Sequence, residues 1–143
     1  MSDVSTLEQN KQVVRRYYHE MVSGQRIDLL AELVAEDAAD ETIVGVGGSG
    51  SREDFRQHLL TLWGNVPDVR ATVEDLLAEG DRVIAYWRIE GTHSGPVFGV
   101  PATGRPFTGL SISQLTLKDG QVVRYNVLPD RLGILRQLTA AAV

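Results

Sequence analysis

Partway along the chain the spacing of apolar residues changes period, and this change limits the folds open to it. Before Pro67 the spacing is helical. Val13, Val14, Tyr17, Tyr18 and Met21 recur at steps of three and four across residues 7–23 and draw one stripe, which Gly24 ends. A short second helix is expected over residues 27–34, with Ile27, Leu30, Leu33 and Val34 on one face and Asp28 and Glu32 on the other. Ser51 opens a third. With Asp54 three residues on it approximates a capping box; Phe55, Leu59, Leu62 and Trp63 form the apolar face, and Gly64 closes the helix. Beyond Pro67 the spacing is that of strands. Residues 69–77 alternate loosely and turn at Glu79-Gly80-Asp81, and residues 81–93 alternate clearly, with Val83, Ala85, Trp87 and Ile89 on one side. A Gly/Pro-bearing stretch over 95–106 precedes a strand over 107–117, which the Asp119-Gly120 turn joins to a partner over 122–128. Asp130 opens a short closing helix over 132–138. Helices followed by hairpin-linked strands predict an α+β domain, its helices on one face of an antiparallel sheet.

Composition narrows the chemistry. A length of 143 residues predicts one domain, 1–143, with no repeat or internal linker. With 14 Lys and Arg against 19 Asp and Glu, a net charge of -5 argues against a nucleic-acid partner, which needs clustered cations. The absence of Cys removes disulfides, thiolate metal sites and cysteine nucleophiles. No apolar run approaches the roughly 20 residues of a membrane helix, so no membrane partner is expected. The first ten residues lack a basic start and an apolar core, which points to a cytoplasmic protein without a signal peptide. The glycine-rich run over 44–51 reads as a loop; as a phosphate cradle it fails, because no Gly-Lys-Ser/Thr ending comes after it. His19, His58 and His93 are scattered without ligand spacing, and no dinucleotide fingerprint or G-x-S-x-G elbow occurs, so neither metal nor cofactor is expected.

From Gly80 to Phe107 the residues stop being generic. Gly91, Thr92, His93 and Gly95, with Phe98, Gly99, Pro101, Thr103 and Arg105 after them, resemble the signature of the SnoaL-like polyketide cyclase family. The run from Asp119 to Leu138 is similar to that family's last strand and closing helix, and Arg15 to Tyr18 fits its first helix. The resemblance implies the ketosteroid-isomerase-like cone: a curved antiparallel sheet wrapped around N-terminal helices, enclosing an apolar cavity. It implies a small, fused-ring aromatic polyketide as substrate and a homo-oligomer. The family's chemistries include aldol ring closure, cofactor-free hydroxylation, epoxide chemistry and non-catalytic binding, and fold does not choose among them.

The same resemblance implies that an aldol cyclase would carry an Asp on the last strand and a His on the strand before. The matching slots here hold Val127 and Ser113, which do not make an acid–base pair. The expectation therefore leans to the family's anthracycline hydroxylase branch, in which an electron-rich ring reacts with oxygen and a separate redox partner supplies the reduced substrate. Aldol cyclisation by displaced residues, and a non-catalytic ligand-binding module, are the alternatives.

The candidate catalytic residues are His93, Asp130 and Asn126. His93 either transfers a proton or pins the loop between Gly95 and Arg105. Asp130 is a general acid or base at the cavity mouth, or a helix N-cap, or both. Asn126 either orients a ligand carbonyl or faces solvent. For substrate binding, Tyr17, Trp63 and Trp87 lie on apolar stripes that serve as core or cavity wall. Ser113 and Val127 are cavity positions, and Arg105, like Arg88, is a cation for a ligand carboxylate or enolate, or an anchor. Glu41 closes a run of acids in which Glu36 and Asp37 read as solvated, while Asp40 and Glu41 stay open between a raised-pKa base and solvent.

Overall fold

The computed structural model describes residues 3–42 and 50–140. The glycine-rich run expected as a loop lies, from its start to Ser49, outside the described residues.

The first helical stripe forms as α1 (Asp3–Arg16), which continues without a break into a π-helical segment, Tyr17–Val22. The wider π turn shapes the cavity wall, because it buries the consecutive residues Tyr17 and Tyr18 together. The second helix is shorter than its stripe suggests. A 3₁₀ turn, Ile27–Leu29, leads into α2 (Leu30–Leu33), and Val34 then starts a strand, β1 (Val34–Asp40). This strand is a correction to the expectation. Its acids mask a pattern in which Val34, Ala38 and Asp40 are buried while Glu36 and Asp37 face out. Its Ala and Asp residues are weak strand formers. The third helix, α3 (Arg52–Asn65), begins where Asp54 accepts a hydrogen bond from Gly50 N at 2.7 Å.

Beyond α3 come four strands, β2 (Arg70–Glu79), β3 (Arg82–Thr92), β4 (Pro106–Lys118) and β5 (Gln121–Pro129), and then α4 (Arg131–Thr139). The order in the sheet is β1-β5-β4-β3-β2. The expected hairpins pair antiparallel, and Asp119 and Gly120, at φ 52° and 79°, make the β4–β5 turn with both central residues left-handed. The unforeseen β1 adds a parallel pairing to β5, with Asp40 opposite Tyr125. Irregularities between Val73 and Asp75 on β2 and between Thr116 and Leu117 on β4 help the sheet curve.

Two apolar clusters fill the concave side. The larger joins Tyr17, Tyr18, Met21, Leu33, Phe55 and Leu59 to Val83, Trp87, Leu115 and Tyr125 of the sheet. The smaller joins Val66, Val69 and Phe107 to Ile134 and Leu138 of α4, and Leu62, Trp63 and Ile89 pack against both. Signature glycine Gly91 is a packing residue, since a Cβ there would collide with the Val66 side chain. Gly109 likewise makes room for α4, with Ile134 only 2.6 Å from where its Cβ would stand. Among the described residues no helix is long and apolar enough to cross a membrane.

Candidate active site

Between the two clusters lies a cavity of about 210 Å³. The π-helical segment contributes Tyr17, Tyr18 and Val22, and α3 contributes His58, Leu59 and Leu62. The sheet contributes Trp87 and Ile89, Phe107 and Ser111, and Tyr125, Val127 and Pro129; Val97, Phe98, Arg131 and Thr42 complete much of the rest. Its rings are in contact. Tyr17 stacks on Tyr125 with centroids 5.5 Å apart, and Tyr18 lies 4.6 Å from Trp87.

One acid–imidazole pair opens onto this wall. Asp40, at the end of β1, is fully buried. Its Oδ2 lies 3.1 Å from His58 Nδ1, and its Oδ1 accepts from Thr42 N at 3.1 Å. With Nδ1–H donated to Asp40, the Nε2 lone pair of His58 is left for the cavity. The carboxylate sets both tautomer and ring orientation, as acids do for basic histidines elsewhere. His58 shares the face of α3 that carries Phe55, Leu59 and Leu62, one turn from each end of that stripe, which is why it reaches the cavity edge while its side chain stays 40% exposed.

A chain of neutral donors lies beside the pair. Ser113 Oγ accepts from Tyr18 Oη at 2.6 Å and from Trp87 Nε1 at 2.8 Å, and Tyr18 Oη lies 3.4 Å from Tyr125 Oη. Burial raises the Tyr17 and Tyr18 hydroxyls well above the ordinary tyrosine range. Burial also pushes Tyr125 up to about 12, with the Asp40 charge adding to it against the lowering hydrogen bonds of Tyr18 and Ser113. These hydroxyls therefore stay protonated; Tyr18 gives its proton to Ser113, whereas Tyr17 and Tyr125 can donate to a ligand oxygen.

Of the residues singled out from sequence, Tyr17, Trp87 and Val127 line the cavity. Ser113 sits behind the wall, fully buried, as the acceptor shared by Tyr18 and Trp87. Trp63 packs between the clusters and donates to Val22 O at 2.9 Å. The other candidates are not brought to the cavity. His93 is fully buried among the loop it precedes: Nε2 donates to Val100 O at 3.0 Å, and Nδ1 accepts from Thr103 N at 3.3 Å beside Thr103 Oγ1 at 2.8 Å. Neither ring nitrogen is left for a ligand. The Asp130 carboxylate accepts from Gly133 N at 2.9 Å as the N-cap of α4. Asn126 is exposed on the convex face, paired across the ladder with Gln114, because side chains alternate along β5 and Tyr125 takes the inward position. Glu41 is exposed and ion-paired with Arg124 at 3.4 Å, Arg105 donates to Gln137 O at 3.2 Å, and Arg88 pairs with Glu74 at 3.0 Å. Sequence reasoning missed His58 and left Asp40 unassigned. The available signals were a His on an apolar helix stripe and an acid at the inward position of an alternating segment. Among the described residues no three His, Asp or Glu side chains come together as a metal group.

A curved sheet closing over helices around an aromatic-walled cavity is the cone fold. Over residues 12–138 the sequence matches the family described as SnoaL-like polyketide cyclase, and the chain belongs to that family. It is 41% identical over 59 residues to aklanonic acid methyl ester cyclase DnrD of Streptomyces peucetius, a stretch covering 41% of each chain. It is 36% identical over 70 residues to nogalonic acid methyl ester cyclase of Streptomyces nogalater, covering 48% of this chain and 52% of that one. The chain thus spans about half the length of these relatives or less. Among solved structures, wild-type IdmH of Streptomyces antibioticus, described as a candidate polyketide cyclase, is 29% identical at a TM-score of 0.78, over 91% of this chain and 98% of that one.

Proposed function

We propose that the protein closes a ring in a polyketide-derived substrate by intramolecular aldol addition, with His58 as general base held by Asp40. The observation that carries this reading is the Asp40–His58 pair at the edge of an apolar cavity. The family membership supports the substrate class. In the reaction His58 Nε2 takes a proton from a methylene between carbonyl groups, leaving an enolate. The enolate carbon attacks a ketone carbon of the same molecule, and the resulting alkoxide takes up the proton to give an alcohol. No electrons leave the substrate, so product and substrate are isomers. Tyr125, neutral and inside the wall, donates to the enolate oxygen, and the apolar lining keeps water from competing.

This places base catalysis at a different position from the pair absent at Val127 and Ser113, and it favours cyclisation over the hydroxylation expected from that absence. The test is incubation with an anthraquinone-type polyketide bearing an uncyclised side chain, as the free acid and as its methyl ester, aerobically and anaerobically. Ring closure at unchanged mass without oxygen or reductant supports the proposal. Product that gains one oxygen and requires a reducing partner restores hydroxylation instead. Tight binding with neither product leaves an inert binding module.

A further inference from the structure

Apart from the neutral tyrosines, the ionisable side chains among the cavity's described lining residues are His58 and Arg131. Arg131, the first residue of α4, has no ion pair or hydrogen-bond partner for its guanidinium among the described residues; it lies instead over the Phe98 ring, 4.7 Å from the centroid. A cation–π contact holds the charge in place and leaves N–H donors open to an oxygen ligand. Phe98 is itself held by its surroundings. It sits at φ 47° beside Gly99 at φ 79°, in a tight reversal closed by the Val97–Val100 bridge. A left-handed aromatic residue persists only where its neighbours fix it. The fixing group is His93, whose Nε2 grips Val100 O two residues further on. The buried histidine, the strained turn and the ring thus position one uncommitted cation at the rim of an apolar cavity.

We infer that Arg131 is a subsite for a carboxylate carried on the edge of the ring ligand. This inference rests on the reading of the cavity as a ring-binding site, and it deepens that reading by assigning a charge to the substrate. A guanidinium matches a carboxylate with two parallel hydrogen bonds, whereas an ester offers a neutral and weaker acceptor. The ring enters the apolar wall while the carboxylate stays at the mouth, where it keeps part of its hydration.

Binding tests this without turnover. Anthraquinone-2-carboxylate and its methyl ester are titrated into the protein while Trp fluorescence is monitored, because Trp87 lines the cavity. The acid is expected to bind about tenfold tighter than the ester. In Arg131→Met, which keeps the aliphatic stem, that preference should vanish, with the acid losing about tenfold more affinity than the ester. In Arg136→Met, on the same helix but outside the cavity lining, the preference should remain. Equal binding of acid and ester by the native protein overturns the subsite and leaves the ring-binding reading standing. So does a preference that survives in Arg131→Met or disappears equally in Arg136→Met. Failure of both probes to bind the native protein overturns the ring-binding reading and the subsite with it.

Discussion

At the scale of single residues, the polar groups divide by what their hydrogen bonds leave free. His58 gives one nitrogen to Asp40 and keeps the other, whereas His93 has both nitrogens engaged by its loop. The two substitutions should therefore behave oppositely. His58→Gln is expected to lower kcat by about 10²–10⁴-fold, the range for losing a general base, with little change in the urea midpoint. Asp40→Asn should lower kcat by about 10²-fold or more with KM nearly unchanged, because it removes the charge that steadies the imidazolium and not the ring wall. His93→Ala should cost stability instead, about 1–3 kcal/mol in urea unfolding, since it removes a fully buried ring and the hydrogen bonds that tie Val100 O and Thr103 N of the partly exposed loop to it.

At the scale of elements, the sequence was most readable where local rules decide. The Asp119-Gly120 turn, the β2–β3 hairpin at Gly80 and the α3 stripe arise from turn chemistry and spacing alone. Two elements were hidden, and both build the site. The π-helical segment needs no special residues, so a plain helical stripe concealed the widened turn that buries Tyr17 and Tyr18 together. β1 was concealed by its own acids: Glu36 and Asp37 gave the look of a solvated loop, while Asp40 takes its buried position only through pairing with β5, where its partner is Tyr125, far away in sequence. Tertiary pairing overrode local propensity there. The docking of α4 is more local and more easily disturbed. Gly109→Val should push Ile134 off β4 and cost about 1–3 kcal/mol, read as a lowered Tm with loss of ligand affinity, because Ile134 also lines the cavity.

At the scale of the whole molecule, the concave face gathers three tyrosines whose hydroxyls are raised by burial, and this sets an alkaline limit. A group whose ionisation is raised on folding stabilises the protein fully below its unfolded value and loses that contribution as pH rises through its folded value. For Tyr125 the window runs from the ordinary value of 10.0 to about 12, and Tyr17 and Tyr18 shift in the same direction. Urea stability should hold below pH 10 and fall across that window, with tyrosinate absorbance rising together with unfolding rather than ahead of it. The apolar wall that makes these hydroxyls hard to ionise is also what makes an uncharged, pre-set donor array beside the Asp40–His58 pair. The most direct measurement of that account is a single-turnover reaction of the native protein and His58→Gln with an uncyclised polyketide, as acid and as ester, under anaerobic conditions, with mass spectrometry and NMR of the product. The account predicts a ring-closed isomer of unchanged mass from the native protein, formed about 10²-fold or more slowly by the variant. An equal rate in the variant, or a product formed only with oxygen and carrying an added oxygen atom, would contradict it.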